Sequence, residues 1–483
     1  MSLAECLDLA LSQNLDLQIE HLSSDIAHYN LTGAYGAYVP NVTLGARHDT
    51  AEGVGEFDYR KFNPYYPYEL DTDSGGPSLT GRLPLGFSYS FDASAGQRRD
   101  VTDFTGNPDL AKFFPPNGIR STNNYFAELG LSVRQHLLKD FWIDRDWETL
   151  LWRRADARIS EAALRFQVMR TVLAVELAFY DYLASCEQVR VQEMALTLRQ
   201  QFVAETRRRV EVGDLPPLDY EQAQTQLQNT LTALAAAREA SANLQNALKV
   251  VLTDNFRDWA EVDLRPAGAL VARKTDANRQ RSFQNALTNR PDLVEARLAI
   301  QKSAVTVRFQ QNQLFPALDF VGRYGGVGVN SDLGGSMAQA MSFHVPNYFY
   351  GVVLSFPLDN VAERNSYRAS KAAKQIAELQ LKKAEQCVLQ EVADYLNQVE
   401  WRYAQTDSTR KAREYAEAAL AAEEKKLANG LSTTYMVLQL QEVLTAARTA
   451  EIVALASYNK AYAQFTFAEG ANLEAHRIRL DGK

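Results

Sequence analysis

The side chains that usually do chemistry are present in this chain, but they are not arranged for it. The six histidines are scattered, and no Ser-His-Asp set, P-loop or HExxH pattern occurs. Cys6, Cys186 and Cys387 sit in helix-like text with neither CxxC spacing nor a histidine cluster, so neither a zinc site nor a disulfide framework is expected. Leu3-Ala4-Glu5-Cys6 has a faint lipobox look, but Glu5 is wrong for that motif and Cys6 falls on the apolar stripe of a helix. Asp71 and Asp73 have the spacing of a calcium loop without its closing glutamate. Arg207-Arg208-Arg209 reads as a solvated helix face, and Arg98-Arg99 lies in loop text without a motif. No catalytic residue, no metal ligand and no cofactor follow from this pattern. A net charge of −8 also speaks against a nucleic-acid partner, which would meet a basic surface.

The distinctive residues are the ones that stop and start helices. Gly213 and Gly430 each end a long helical run, and glycine takes the left-handed C-cap conformation without steric cost. Asp214, followed by Pro216 and Pro217, makes a helix start, and Ser432 with Thr433-Thr434 makes another. Asp219 falls in the first turn of the new helix, where a carboxylate gains about 0.3–1 kcal/mol from the helix dipole.

These breaks belong to a chain written twice. Ala10-Leu11-Ser12-Gln13-Asn14-Leu15-Asp16-Leu17 corresponds to Ala286-Leu287-Thr288-Asn289-Arg290-Pro291-Asp292-Leu293, and the same spacing maps Pro40 onto Pro316 and Arg47 onto Arg323. Each copy reads as helix, proline, strand. A second correspondence sets Arg209-Val210-Glu211-Val212-Gly213 against Lys426-Leu427-Ala428-Asn429-Gly430, and Gln222, Gln224 and Leu227 against Gln439, Gln441 and Leu444. Residues 144–212 and 362–429 carry helical text almost free of glycine and proline, about 100 Å each at 1.5 Å per residue. Apolar residues recur at coiled-coil spacing, as in Leu227, Leu231 and Leu234. Helices 2–36 and 217–254 together nearly equal 144–212, and helices 283–314 and 434–469 nearly equal 362–429. Each half therefore predicts one long helix beside two stacked shorter ones.

Between the helices, in 41–138 and 316–359, the period changes to two. Phe87, Tyr89 and Phe91 alternate with Ser88 and Ser90, and Leu129, Leu131 and Val133 with Gly130, Ser132 and Arg134. Tyr348, Tyr350, Val352, Leu354 and Phe356 form a third such run. No run of 18 apolar residues exists, which excludes a transmembrane helix and leaves a membrane β-barrel open. Residues 51–78 and 97–124, rich in Pro, Gly, Asp, Asn and Tyr, read as long surface loops, and Arg82-Leu83-Pro84-Leu85-Gly86 as the turn of an extra hairpin over 79–95.

The order helix, proline, strand, hairpin, strand, long helix, glycine turn, helix, then the set again, resembles the TolC-like outer-membrane efflux proteins over nearly the whole chain. Ala10-Leu11 with Asn14-Leu15-Asp16-Leu17, Tyr38-Val39-Pro40, and Val212-Gly213 with Leu218-Asp219 carry the resemblance. Gln135-His136-Leu137-Leu138-Lys139 resembles a family segment that has proline where His136 stands. The resemblance implies a mainly α fold in which the duplicated chain's coiled-coil helices form a trimeric α-helical barrel continuous with a shared transmembrane β-barrel. Its parts would be tube helices over 1–40, 139–255, 283–315 and 360–470. Barrel strands would fill 41–138 and 316–359, and an equatorial girdle 256–282 with the tail 471–483.

The same resemblance implies an outer-membrane exit duct reaching into the periplasm, passive and not an enzyme, and part of a tripartite efflux or type I secretion system. The partners would be two further copies, a periplasmic adaptor, an inner-membrane pump and outer-membrane lipid. Arg209, Gly213, Asp214, Asp219, Gly430 and Ser432 would form the periplasmic tip that docks the adaptor and gates the pore. Asp219 matches a tip aspartate and also fits plain helix capping. Met436 and Gln439 stand where the second half would carry aspartates, Ser432 where it would carry arginine, and Leu427 where it would carry tyrosine. The alternatives are a soluble coiled-coil scaffold with β caps, and an enzyme built into the loops 51–124.

Overall fold

The computed structural model describes residues 1–56, 65–106, 111–114, 118–213, 215–274 and 278–478. The chain forms two units: Met1–Ala27 with Asp156–Ala299 and Ala377–Lys483, and His28–Ala155 with Ile300–Ile376.

The first unit is helical. The long helices are α3 (Arg145–Glu211), which enters this unit at Asp156, and α9 (Val361–Ala428), which enters it at Ala377. Both lie within two residues of the bounds read from sequence. Beside them run α1 (Leu3–Gln13), α4 (Pro217–Leu252), the short α5 (Phe256–Trp259), α6 (Arg279–Asn289), α10 (Thr434–Ala468) and α11 (Asn472–Ala475). The helices α2 (Leu15–Ala34) and α7 (Pro291–Asn312) start in this unit and end in the other. The core appears twice, as the sequence does. Val168, Val172, Val175 and Phe179 of α3 bury against Cys6, Leu7 and Ala10 of α1 and Leu248 and Leu252 of α4. Val388, Val392, Leu396 and Val399 of α9 bury against Ala286 of α6 and Tyr458, Ala461 and Phe465 of α10. Both stripes follow the coiled-coil spacing, and each buried side chain contributes roughly 1.5–3 kcal/mol. Cys6 is core: burial pushes its thiol up to about 11.

The expected helices 2–36 and 283–314 are each broken once, at matching positions. Asn14 has ψ 127° and Arg290 ψ 122°, both extended. Asn14 accepts the Leu17 N–H and so caps α2 with its side chain. Arg290 precedes Pro291, whose ring bars the helical conformation from the residue before it.

The second unit is built on a six-stranded antiparallel sheet in sequence order: β1 (Asn41–Glu56), β2 (Tyr65–Leu83), β3 (Phe87–Asp103), β4 (Ile119–His136), β5 (Ala317–Asn330) and β6 (Pro346–Ser355). The hairpin expected over 79–95 is the end of a much longer one. Residues 65–78, 97–103 and 119–124, expected as loop, are strand, and so is 51–56; the parts at 57–64, 107–110 and 115–117 lie outside the described residues. Ladder pairing overrides the turn-like composition here. Where Pro77 has no N–H to give, the β2–β3 pairing lapses at 76–77 and resumes at Ser78↔Asp92 in the same register. A short helix, α8 (Leu333–Ser342), unexpected from sequence, links β5 to β6, with the Asp332 carboxylate accepting the Gly335 N–H at 2.7 Å.

Candidate functional site

Two features could serve a function, one in each unit. In the helical unit they are the turns that join α3 to α4 and α9 to α10. The second turn is a Schellman C-cap: the Leu431 N–H donates to the Lys426 carbonyl (2.8 Å) and the Gly430 N–H to the Leu427 carbonyl (3.1 Å), with Gly430 at φ +72°. Gly213, at φ +81°, repeats the inner bond, its N–H donating to the Val210 carbonyl (3.1 Å). Asp214 lies outside the described residues.

Around these glycines the side chains form local pairs. The Ser432 hydroxyl donates to Glu423 (2.5 Å), which Lys426 also reaches (2.9 Å), and these bonds hold the half-buried Glu423 carboxyl below its ordinary value. Arg209 pairs back along its own helix with Glu205 (3.1 Å) and meets neither Asp219 nor Ser432. Asp219, in the first turn of α4, accepts the Thr434 hydroxyl (3.3 Å) from the start of α10. Beneath the turns Ala416, Leu420, Val437 and Leu444 bury together. Above them Val212, Leu218, Leu431 and Tyr435 stand in solvent, Val212 and Leu431 each 78% exposed.

Sequence reasoning missed two residues here, Glu423 and Arg199, and read Thr434 only as part of a helix start. Thr434 is the repeat counterpart of Pro217, and its hydroxyl is what reaches Asp219. Glu423 gave no signal. Arg199 is 6% exposed and donates to the Leu438 carbonyl (3.3 Å), while its Nη1 finds no acceptor; burial pulls its guanidinium down from its ordinary value. Its mid-helix position gave no hint of burial.

In the other unit the strand register sorts the side chains onto two faces. One row runs Val42–Leu79–Phe91–Leu131–Tyr324–Tyr348. The next row, on the opposite face, runs Thr43–Ser78–Asp92–Gly130–Gly325–Asn347. The apolar face is not a core, for Val42, Leu44, Tyr348, Tyr350 and Val352 are exposed. The polar face lines a hollow with Asn41, Thr80, Ser88, Ser90, Ser132 and Arg134. It also carries the Arg323–Glu128 (2.6 Å) and His136–Asp319 (2.6 Å) pairs. Among the described residues, neither sheet edge, β1 or β6, has a neighbouring strand. Among the described residues no helix is long and apolar enough to cross a membrane, and no cluster of side chains is set to hold a metal ion.

Residues 283–471 match the family described as outer membrane efflux protein. No curated protein sequence matches the chain. The fold is similar to the CmeC outer membrane channel of Campylobacter jejuni (TM-score 0.68, 13% identity, 97% of this chain and 86% of that one). It is also similar to the outer membrane protein VceC of Vibrio cholerae (0.67, 16%, 97% and 96%). A third likeness is to the open state of the MtrE outer membrane channel of Neisseria gonorrhoeae (0.66, 16%, 98% and 89%).

Proposed function

We propose that this chain, whose residues 283–471 match the outer membrane efflux protein family, is the passive exit duct of a tripartite efflux or type I secretion system, working as a homotrimer. The two-faced sheet carries this reading. An exposed apolar face would be costly in water and is favourable in lipid, while the polar face suits a water-filled lumen. The free edges support the trimer. An open sheet edge is not tolerated in hydrocarbon, so β6 of one copy pairs with β1 of the next. Three such sheets give an eighteen-stranded barrel, a size that leaves an aqueous channel.

The helix turns would be the periplasmic tip. Val212, Leu218, Leu431 and Tyr435 offer an adaptor an apolar surface, and Gly213 and Gly430 set the turns that present it. An inner-membrane pump would supply the energy. Asp219 would gate through its bond to Thr434, which ties the two turns together and must break if they part. Arg209 and Ser432 would steady the turns through Glu205 and Glu423. Purified protein reconstituted in a planar bilayer should give stepwise single-channel currents. A chain that stays monomeric in plain buffer and never enters the bilayer would instead be the coiled-coil scaffold.

A further inference from the structure

The helix α8 lies on the apolar face of the sheet. A Cβ built on Gly326 would fall 2.0 Å from the Ala340 carbonyl oxygen, and one on Gly328 2.0 Å from that of Ser336, so only glycine lets the helix backbone settle this close. The row beneath it is Ala46–Gly75–Ala95–Ala127–Gly328, small at every strand, and Phe343 stacks on Tyr324 with centroids 5.6 Å apart. The sheet is thus carved to seat the helix, yet the helix leaves apolar side chains uncovered along one flank, beside a hollow it shares with Gly75, Pro77 and Ala93. Met341 is 61% exposed, and Leu333, Met337 and Val345 are exposed as well. Residues 333–343 contain no charged side chain. On the same face, the next row beyond Ala46–Gly328 becomes polar, with the His48–Asp73 pair at 2.7 Å.

We propose that α8 is a lipid-contacting element that widens the membrane-facing belt, its Met337–Met341 flank packing against acyl chains just inside the level where the sheet turns polar. The inference rests on the reading of the apolar face as membrane-facing. The occupant follows from continuity. The flank borders a hollow floored by Pro77, Ala93 and Leu129, in one row of the apolar face with the exposed Leu44, and a charge-free flank ending at a charged row matches a bilayer boundary. Flexible methionine side chains suit a surface met by many acyl-chain conformations.

The test uses the full-length protein in phosphatidylcholine vesicles with and without bromine on the acyl chains. Met341→Trp should show a bromine-quenched fluorescence component above the wild-type background, comparable to that of Tyr350→Trp on the sheet. Ser132→Trp on the polar face should add none. If Met341→Trp fails to fold, Met337→Trp takes its place with the same expectation. Quenching of Tyr350→Trp but not of either helix position would overturn the inference alone, and would mean that a second copy or another polypeptide covers α8. Loss of quenching at Tyr350→Trp as well would overturn the membrane reading together with it.

Discussion

The Thr434 hydroxyl donates to the Asp219 carboxylate across 3.3 Å and 215 residues of chain, joining the first turn of α10 to the first turn of α4. The repeat that places Asp219 opposite Met436 also places Pro217 opposite Thr434, so the bond is made once and not twice. The two turns are therefore unequal: one carries the charge, the other the hydroxyl that reaches it. Asp219→Ala and Thr434→Val should each raise the fraction of time a reconstituted channel stays open. The double variant should do no more than either alone, because both remove the same bond. Additive effects in single-channel recordings would mean that Asp219 acts as a helix cap only.

Arg199 tests how the tip is packed. Truncation to alanine removes the bond to the Leu438 carbonyl and leaves space in the buried seam, and should cost about 1–3 kcal/mol in denaturant unfolding. Arg199→Met, which keeps the volume and removes a buried charge with an unmet Nη1, should be neutral or mildly stabilising.

The pair His476–Glu176 should make stability depend on pH. His476 lies 2.8 Å from the buried Glu176, whose hydrogen bond raises the imidazole above its ordinary value. A group raised on folding stabilises fully below its unfolded value, about 6.5, and loses that contribution as pH rises through the higher folded value. Thermal unfolding of the wild type should therefore weaken from about pH 6.5 upward relative to His476→Gln, and the two curves should converge above the folded value.

Gly430→Ala and Gly213→Ala each force a β-carbon into the left-handed region. The cost should be about 1 kcal/mol per site, read as faster amide exchange at the last turns of α9 and α3 with the helix centres unchanged.

The helices and their duplication were legible because their signals are local and repeated: glycine stops at Gly213 and Gly430, coiled-coil spacing, and two copies agreeing. The breaks at Asn14 and Arg290 were written there too, as a capping asparagine and a residue before proline, but the strong periodicity on either side masked them. The length of β2 was hidden, since Tyr66, Pro67, Asp71, Asp73, Gly75, Gly76 and Pro77 look like a loop until neighbouring strands satisfy their backbone. The helix α8 depends on Gly326 and Gly328 meeting Ser336 and Ala340, a fit no spacing announces. Of the tip residues, the glycines were readable as backbone signals. The partners of Asp219 and Ser432, at Thr434 and Glu423, needed the turns to be folded.

If the sheet stands in lipid with water on its polar face, the two sides of β4 will differ in chemical access. Cysteines introduced one at a time along β4, in a Cys186→Ser, Cys387→Ser background that keeps only the buried Cys6, are labelled with a charged maleimide in proteoliposomes. Ser132→Cys and Arg134→Cys should react, and Leu131→Cys and Val133→Cys should be protected. Equal labelling at all four positions would contradict the account.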